Sequence, residues 1–547
     1  MKKLLAALLS VFVLLCVVGC GSADTATETT VADAAETTLT EATVADTTVA
    51  ATEELPVEPS STDEVLAEIL PSTLPDGIEW DSGALTSRPV ASANAQDNTV
   101  AYVLIYNPYI YNENNQTNPT LYTGNFSSQV TVSMDRADEL EEPLEYNPLS
   151  VSDVNKDFPV DKADLSGNRA DVMLTPYVTG QRRDFYTSTG SSQSVLKTFT
   201  CVHAGKYCNV WVSSDATLST ADAQYYASEF DANIYGTCET LFGTPRFSQN
   251  GGKVNLLFTP METGLLGFAR IADIFATGEF TEADIKAYGM NVNHAIIHLS
   301  SNYASDRDAI KRTLAHELQH QIVFSGAFEN PLGAYPNTWF NEAMSAYIED
   351  YIYPNSKLGY IDVYNKSECV RHGQSLYNFT THQSFFSSDI GPYGTVYLFS
   401  AYMDKWGYYD AFTRFHKYYR ASFDYTLNDA TGIKLSFSPY MQYAIQNTAD
   451  FSSLNFATPD EEWLSKFTLR FYLDMLVYDY ADPSEFQYVD PNKLVYDQLS
   501  PANIEGGGRI IIAVKNGEYT IPADASSGLV YVGLNKYFVP VTNCLIF

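Results

Sequence analysis

The chain has 547 residues, 45% of them hydrophobic and 14% aromatic, with 39 Tyr and 30 Phe. That composition builds large packed cores and excludes a disordered or fibrous protein. A formal net charge of −34 repels phosphate backbones and argues against a nucleic-acid partner.

In chain order, the first segment is "MKKLLAALLSVFVLLCVVGC", residues 1–20. Two lysines, an apolar run and a terminal Gly-Cys read as a secretory leader. The ending "VVGC", Val17 to Cys20, resembles a bacterial lipobox, where cleavage leaves the Cys as a lipid-bearing N-terminus. The rival reading, a membrane-spanning anchor, needs ~20 apolar residues, more than this run supplies. The expected location is extracytoplasmic, on the bacterial cell envelope, with membrane attachment through a lipidated Cys20. Residues 21–75 are Thr, Ala, Val, Glu and Asp in loose repeats such as "TVADAAETT", and no Lys or Arg occurs between Lys3 and Arg88. Self-repelling low-complexity sequence of this kind makes an extended tether.

Residues 76–247 read as a β-rich N-terminal domain. "TVAYVLIY", "SQVTVSM" and "CNVWVSS" carry β-branched and aromatic residues between turn signals. Cys201 and Cys208 flank "VHAGKY", which reads as a hairpin turn. The pair suits a cross-hairpin disulfide or, as a sharper alternative, a metal site with His203. A helical pattern, "TADAQYYASEFDANIYGTCETLFG", closes this region at Gly243.

Residues 248–482 read as an α+β, zincin-like catalytic domain. The strands "KVNLLFTPM" and "HAIIHLSS" come first. A helix is expected from an N-cap at Ser305, with Asp308 three later, to a stop at Gly326. Further helices are expected at "NEAMSAYIEDYI", "YGTVYLFSAYMDKWG" and "DEEWLSKFTLRFYLDMLVYDY". Residues 483–547 return to strands, "GRIIIAVKNGEYTI" and "GLVYVGL", as a small β-rich C-terminal segment. The fold class expected is therefore multidomain.

Two His-x-x-x-His pairs stand close together, His294 with His298 and His316 with His320. On a helix, residues four apart lie about 5–6 Å apart on one face, so two imidazoles can share an ion. On a strand the same spacing covers about 13 Å. "HAIIH" is β-branched at its centre and is expected on a strand, with structural histidines or one lining a cleft. "HELQH" lies in a helical pattern, and Glu317 beside the first His completes His-Glu-x-x-His. In that motif the histidines hold Zn²⁺ and the Glu is the general base. A catalytic zinc takes a third protein ligand. Glu342, in the helical pattern that follows the "NPLGAYPN" loop, can fold back to face the pair.

"HELQH" followed by "WFNEAMSAYIED" resembles the gluzincin metallopeptidases, and the arrangement as a whole is most similar to the hyicolysin family. The resemblance covers roughly residues 225–410. It implies one catalytic Zn²⁺ on His316, His320 and Glu342, with Glu317 as the catalytic base and a protein or peptide as substrate. Thermolysin-like members place an Asp four residues after the ligand Glu to orient a His; here that position is Ala346. Glu349, Asp350 and Asn341 are the available replacements. "GPYGTVYLFSAYMDKWG" resembles the gluzincin helix whose Tyr steadies the oxyanion, which would make Tyr393 catalytic, with Tyr397 as second choice. The Gly-x-Met-x-Asn box that grips a free amine in many zinc aminopeptidases is not matched by "YGMNVNH", so an endopeptidase is favoured. The rival class is a catalytically inactive surface lipoprotein, an adhesin or binding module on a peptidase-like scaffold. Such a protein has no physical reason to keep Glu317 between its two histidines.

Overall fold

The structure is a computed structural model that describes residues 99–109, 120–124, 176–188, 194–243, 249–274, 281–329, 338–354, 359–379, 391–405, 459–477, 489–496, 501–514, 521–538 and 540–546, with short pieces at 245, 413, 427–428 and 434–435. The leader, the tether and the strand expected at "SQVTVSM" lie outside the described residues.

The elements that position the site run as follows. Strand β1 is Tyr102–Tyr106, β2 Leu121–Tyr122, β3 Arg182–Thr187, β4 Val195–Ala204 and β5 Cys208–Ser213. Helices α1, Thr220–Glu229, and α2, Tyr235–Phe242, flank a π-helical turn at Phe230–Ile234. Gly243, at φ 103°, ends this run in a backbone conformation that favours glycine. Then come β6 Val254–Thr259, β7 Gly267–Ala269, α3 Glu282–Tyr288 and β8 Ile296–Ser300. Helices α4 Arg307–Glu329, α5 Thr338–Ile352, α6 Gly359–Lys366, α7 Glu368–Arg371, α8 Gly391–Lys405 and α9 Pro459–Val477 follow. The short strands β9 Leu427–Asn428, β10 Lys434–Leu435 and β11 Asn503–Ile504 precede β12 Arg509–Ala513, β13 Val530–Leu534 and β14 Pro540–Ile546.

The expected mixture of strands and helices is present, but the strands are partnered differently from the expected division. A six-stranded sheet has the order β3-β4-β5-β6-β8-β7. Strand β5 pairs parallel with β6, Cys208 opposite Val254, so one sheet runs straight through the boundary expected at residue 247. A second sheet, β12-β1-β13-β14, joins Tyr102–Tyr106 to the C-terminal strands. Strand β2 pairs with β11 in a small two-stranded sheet, so among the described residues the strands assigned to an N-terminal domain are divided among three sheets. Apolar alternation marks a strand but carries no information on its partner.

Side chains on the six-stranded sheet alternate between two cores. On one face Val210, Val212, Leu256, Phe258, Ile297 and Leu299 pack against Ile310, Leu314 and Leu318 of α4. On the other, Phe185, Phe199, Cys201, Trp211, Leu257 and Ile296 form a small core with Tyr177. Cys201 belongs to the small core and Cys208 to the large one. Their thiols lie on opposite faces of the sheet and both are free, which overturns the cross-hairpin disulfide. The alternative metal site with His203 is also absent among the described residues.

Helix α4 is capped by Asp306, whose Oδ1 accepts from the Ala309 N–H at 3.0 Å, one residue later than the cap expected at Ser305. Asp308 pairs with Lys311 and Arg312, each at 2.8 Å. Its side chains are buried from Arg312 to Ser325, and the helix continues past the expected stop at Gly326. Burial on all sides supplies the stabilisation that outweighs a glycine, which costs a helix about 1 kcal/mol. Helix α5 is buried from Thr338 to Glu349 and packs against α4. No helix of the described residues is long and apolar enough to cross a membrane.

Candidate metal centre

Polar groups inside a protein are kept only where something pairs with them. On α4 and α5 the buried polar side chains cluster: His316, Glu317, Gln319 and His320 on one, Asn341, Glu342, Ser345 and Glu349 on the other. The four-residue spacing on α4 brings the two imidazole centroids to 4.8 Å at an interplanar angle of 83°. Glu342 Oε2 lies 3.4 Å from His316 Nε2 and 3.7 Å from His320 Nε2. Ligand atoms of His316, His320 and Glu342 all lie within 4.8 Å of one another, and each residue is buried.

These separations fit a metal ion better than they fit hydrogen bonds. Two ligands bonded at ~2.0–2.1 Å to one tetrahedral zinc sit roughly 3.3 Å apart, whereas an N–H···O bond to carboxylate is about 2.7–2.9 Å long. The charges agree with the distances. Glu317, Glu342 and Glu349 place three carboxyl groups in one buried space, which a divalent cation compensates. One zinc ion fits the donor set, with His316, His320 and Glu342 as its ligands.

His316 donates from Nδ1 to Glu349 Oε1 at 2.9 Å, which leaves Nε2 turned toward Glu342. Tyr360 of α6 donates its hydroxyl to the same Glu349 oxygen at 2.6 Å. Of the three replacements available for the absent Asp, Glu349 is the one bonded to His316, while Asn341 lies beside His320. Seven residues past Glu342 is two helical turns, so both carboxylates share a face of α5. Asp350 instead accepts from Tyr397 at 3.1 Å, and Asn341 Oδ1 accepts from Gln319 Nε2 at 3.1 Å.

Electrostatics distinguish the groups. Burial disfavours the charged form of His316, but its bonds to Glu342 and Glu349 outweigh that and raise its pKa to about 10. Burial pushes His320 down to about 3, against the attraction of Glu342. Glu317 is pushed up to about 8, by burial first and then by Glu342 and Glu349, while His316 and the Ala269 N–H act the other way. That N–H belongs to β7, so the strand beside α4 reaches the Glu317 carboxylate.

Tyr393, at the start of α8, is buried, stacks on Tyr360 with centroids 6.5 Å apart and meets Phe379 edge-on at 4.7 Å. It stands in the aromatic packing around the Tyr360–Glu349–His316 chain. The other His pair is no shared site. His294 precedes β8 and its Nε2 meets the Tyr177 hydroxyl at 2.8 Å, while His298 meets Asp273 at 2.8 Å and Thr187 at 3.0 Å. Both are buried and spend their ring nitrogens on these partners, as structural histidines do. Tyr360, Asp273 and the Ala269 N–H had no signal in the sequence: one Tyr among 39 and one backbone amide carry no pattern.

No protein-family model matches the chain. Over 217 residues it is 26% identical to "Neutral metalloprotease ShpI" of Staphylococcus hyicus, a match covering 36% of this chain. The relative is a metalloprotease, and the three ligand atoms of His316, His320 and Glu342 make a metal centre of the matching kind. The chain spans 45% of the length of that curated relative. Among solved structures, native yeast LTA4 hydrolase aligns over 56% of this chain and 46% of its own, at 11% identity and a TM-score of 0.30. Its complex with bestatin aligns over 55% and 43%, at 12% identity and 0.27. Scores this low carry no argument about the chain; the metalloprotease relative and the convergence of Glu342 on the two histidines do.

Proposed function

We propose that this chain is a zinc-dependent peptidase, acting as an endopeptidase on protein or peptide substrates outside the cytoplasm while anchored to the bacterial cell envelope through a lipidated Cys20. The observation that carries the reading is the convergence of His316, His320 and Glu342, with Glu317 beside them, on two buried helices.

Zinc, when bound, supplies a Lewis acid that polarises water and the scissile carbonyl. Glu317 takes the proton from the attacking water and passes it to the leaving amine, a role that fits its place between His316 and His320 on the buried helix. Glu349 and Tyr360 hold the His316 ring so that Nε2 faces the ion. Tyr393 is the proposed oxyanion donor. It is supported by its place at the start of α8, stacked on the tyrosine that bonds Glu349.

The test uses the full chain. Wild-type protein is expected to hold about one zinc and to cleave casein. Glu317→Gln is expected to keep the zinc and lose the cleavage by about 10²–10⁴-fold or more, the usual contribution of a general base. Zinc-free, inactive wild-type protein would leave the peptidase reading without support. Envelope attachment has its own test: Cys20→Ala moves the chain out of the membrane fraction, and unchanged retention there rules out the lipid anchor.

A further inference from the structure

Strands β3 and β7 are the two outer strands of the six-stranded sheet, yet a buried polar network joins them. Arg270 follows β7 directly and donates to both oxygens of Asp273, at 3.2 and 2.6 Å. It also donates to the carbonyls of Tyr186, at the end of β3, and Gly289, both at 3.1 Å, and to the Ser194 hydroxyl. Asn291 donates to Asp273 at 2.7 Å and to the Tyr186 carbonyl at 2.8 Å, and accepts from the Tyr186 N–H at 2.7 Å. His298 bridges Asp273 and Thr187 of β3. Phe268, in the middle of β7, stacks on His298 with centroids 4.5 Å apart.

A buried ion pair is weak support for stability, because desolvation cancels most of the attraction. Its role is better read from what it holds, and what it holds is β7. One face of this strand rests on the network through Phe268. On the other, Gly267 lies so close to α4 that a Cβ there would be 2.7 Å from Thr313 Cγ2. Thr313 lies on the same helix as Glu317, so the position of β7 is set directly against the helix that carries the catalytic motif.

We propose that the Arg270–Asp273–His298 network is a positioning device: it clamps β7 against α4, the helix that carries His316, Glu317 and His320. Asp273, bonded to Arg270, Asn291 and His298 at once, is the key positioning residue. The proposal rests on the peptidase reading for its kinetic consequence but not for its structural one.

The test compares wild-type full-length protein with Asp273→Asn and with the double substitution Arg270→Met/Asp273→Leu. The double variant removes the buried charges together and guards against an uncompensated Arg270 unfolding the single one. In variants holding one zinc, kcat on casein per bound zinc is expected to fall about 10–100-fold, with KM changed by less than about threefold. Deuterium uptake in peptides covering residues 265–272 is expected to rise, while uptake across 310–325 stays at the wild-type level. Folded, zinc-loaded variants with wild-type kcat and wild-type protection at 265–272 overturn the clamp. If the zinc-loaded wild type hydrolyses nothing, the peptidase reading fails and the exchange data alone decide the clamp.

Discussion

Glu349 shows how much a single side chain can be asked to do at this centre. Its Oε1 accepts from both His316 Nδ1 and the Tyr360 hydroxyl, and all three groups are buried. Removing it by Glu349→Ala strands two buried donors and frees the ring, and partners of this kind typically support 10–100-fold in metal affinity. Zinc affinity measured by chelator competition is expected to drop by that factor; an unchanged affinity would take Glu349 out of the account. The ligands themselves were legible in the sequence because His-Glu-x-x-His and a Glu on the next helix impose their own spacing. Glu349 was legible only as one of three candidates. Choosing among Asn341, Glu349 and Asp350 requires the rotation of α5 against α4, which no local pattern encodes.

Among the elements, β7 is the least conspicuous and one of the most constrained. It has three residues, and all of them are buried. A Cβ added at Gly267 would sit 2.7 Å from Thr313 Cγ2 and 2.8 Å from the His298 carbonyl, so Gly267→Ala must push the strand off α4. The expected cost is about 1–3 kcal/mol of stability, typical of overpacking, together with a lower kcat. A urea midpoint equal to that of the wild type would show that the close approach is not required. The sequence reading missed this strand because three residues are too few for a period. It caught β8 because a continuous apolar run is the signature of a strand covered on both faces. It stopped α4 too early at Gly326 because glycine was weighed without the tertiary burial that carries the helix on. The hairpin disulfide failed for a related reason: separation along the chain does not tell which face of a strand a thiol occupies.

Across the whole molecule, the sheets tie distant parts of the chain together, with Tyr102–Tyr106 held between β12 and β13 and β3–β5 continuing into β6. The two buried histidines His294 and His298 give this assembly an acid limit. Burial lowers both His294 and His298 from 6.5 to about 4, with Arg183 adding to the shift of His294, Arg270 to that of His298, and Asp273 opposing both. In the unfolded chain they take protons first, so stability is complete above pH 6.5 and falls as the pH drops toward 4. Each shift is worth roughly 3 kcal/mol over that window. Urea midpoints taken from pH 7 to pH 4.5 are expected to decline steadily, and a flat profile would mean that these rings are not held neutral. Which strands share a sheet was the part least legible beforehand, since partner choice is settled by global packing.

The central claim is that one zinc ion sits between α4 and α5 on His316, His320 and Glu342. Anomalous diffraction at the zinc edge, on crystals of the zinc-loaded protein, tests it most directly. The account predicts a single strong peak within bonding distance of His316 Nε2, His320 Nε2 and a Glu342 oxygen, with Glu317 beside it but not ligating. A peak elsewhere, or one at the histidines with Glu342 turned away, would contradict it.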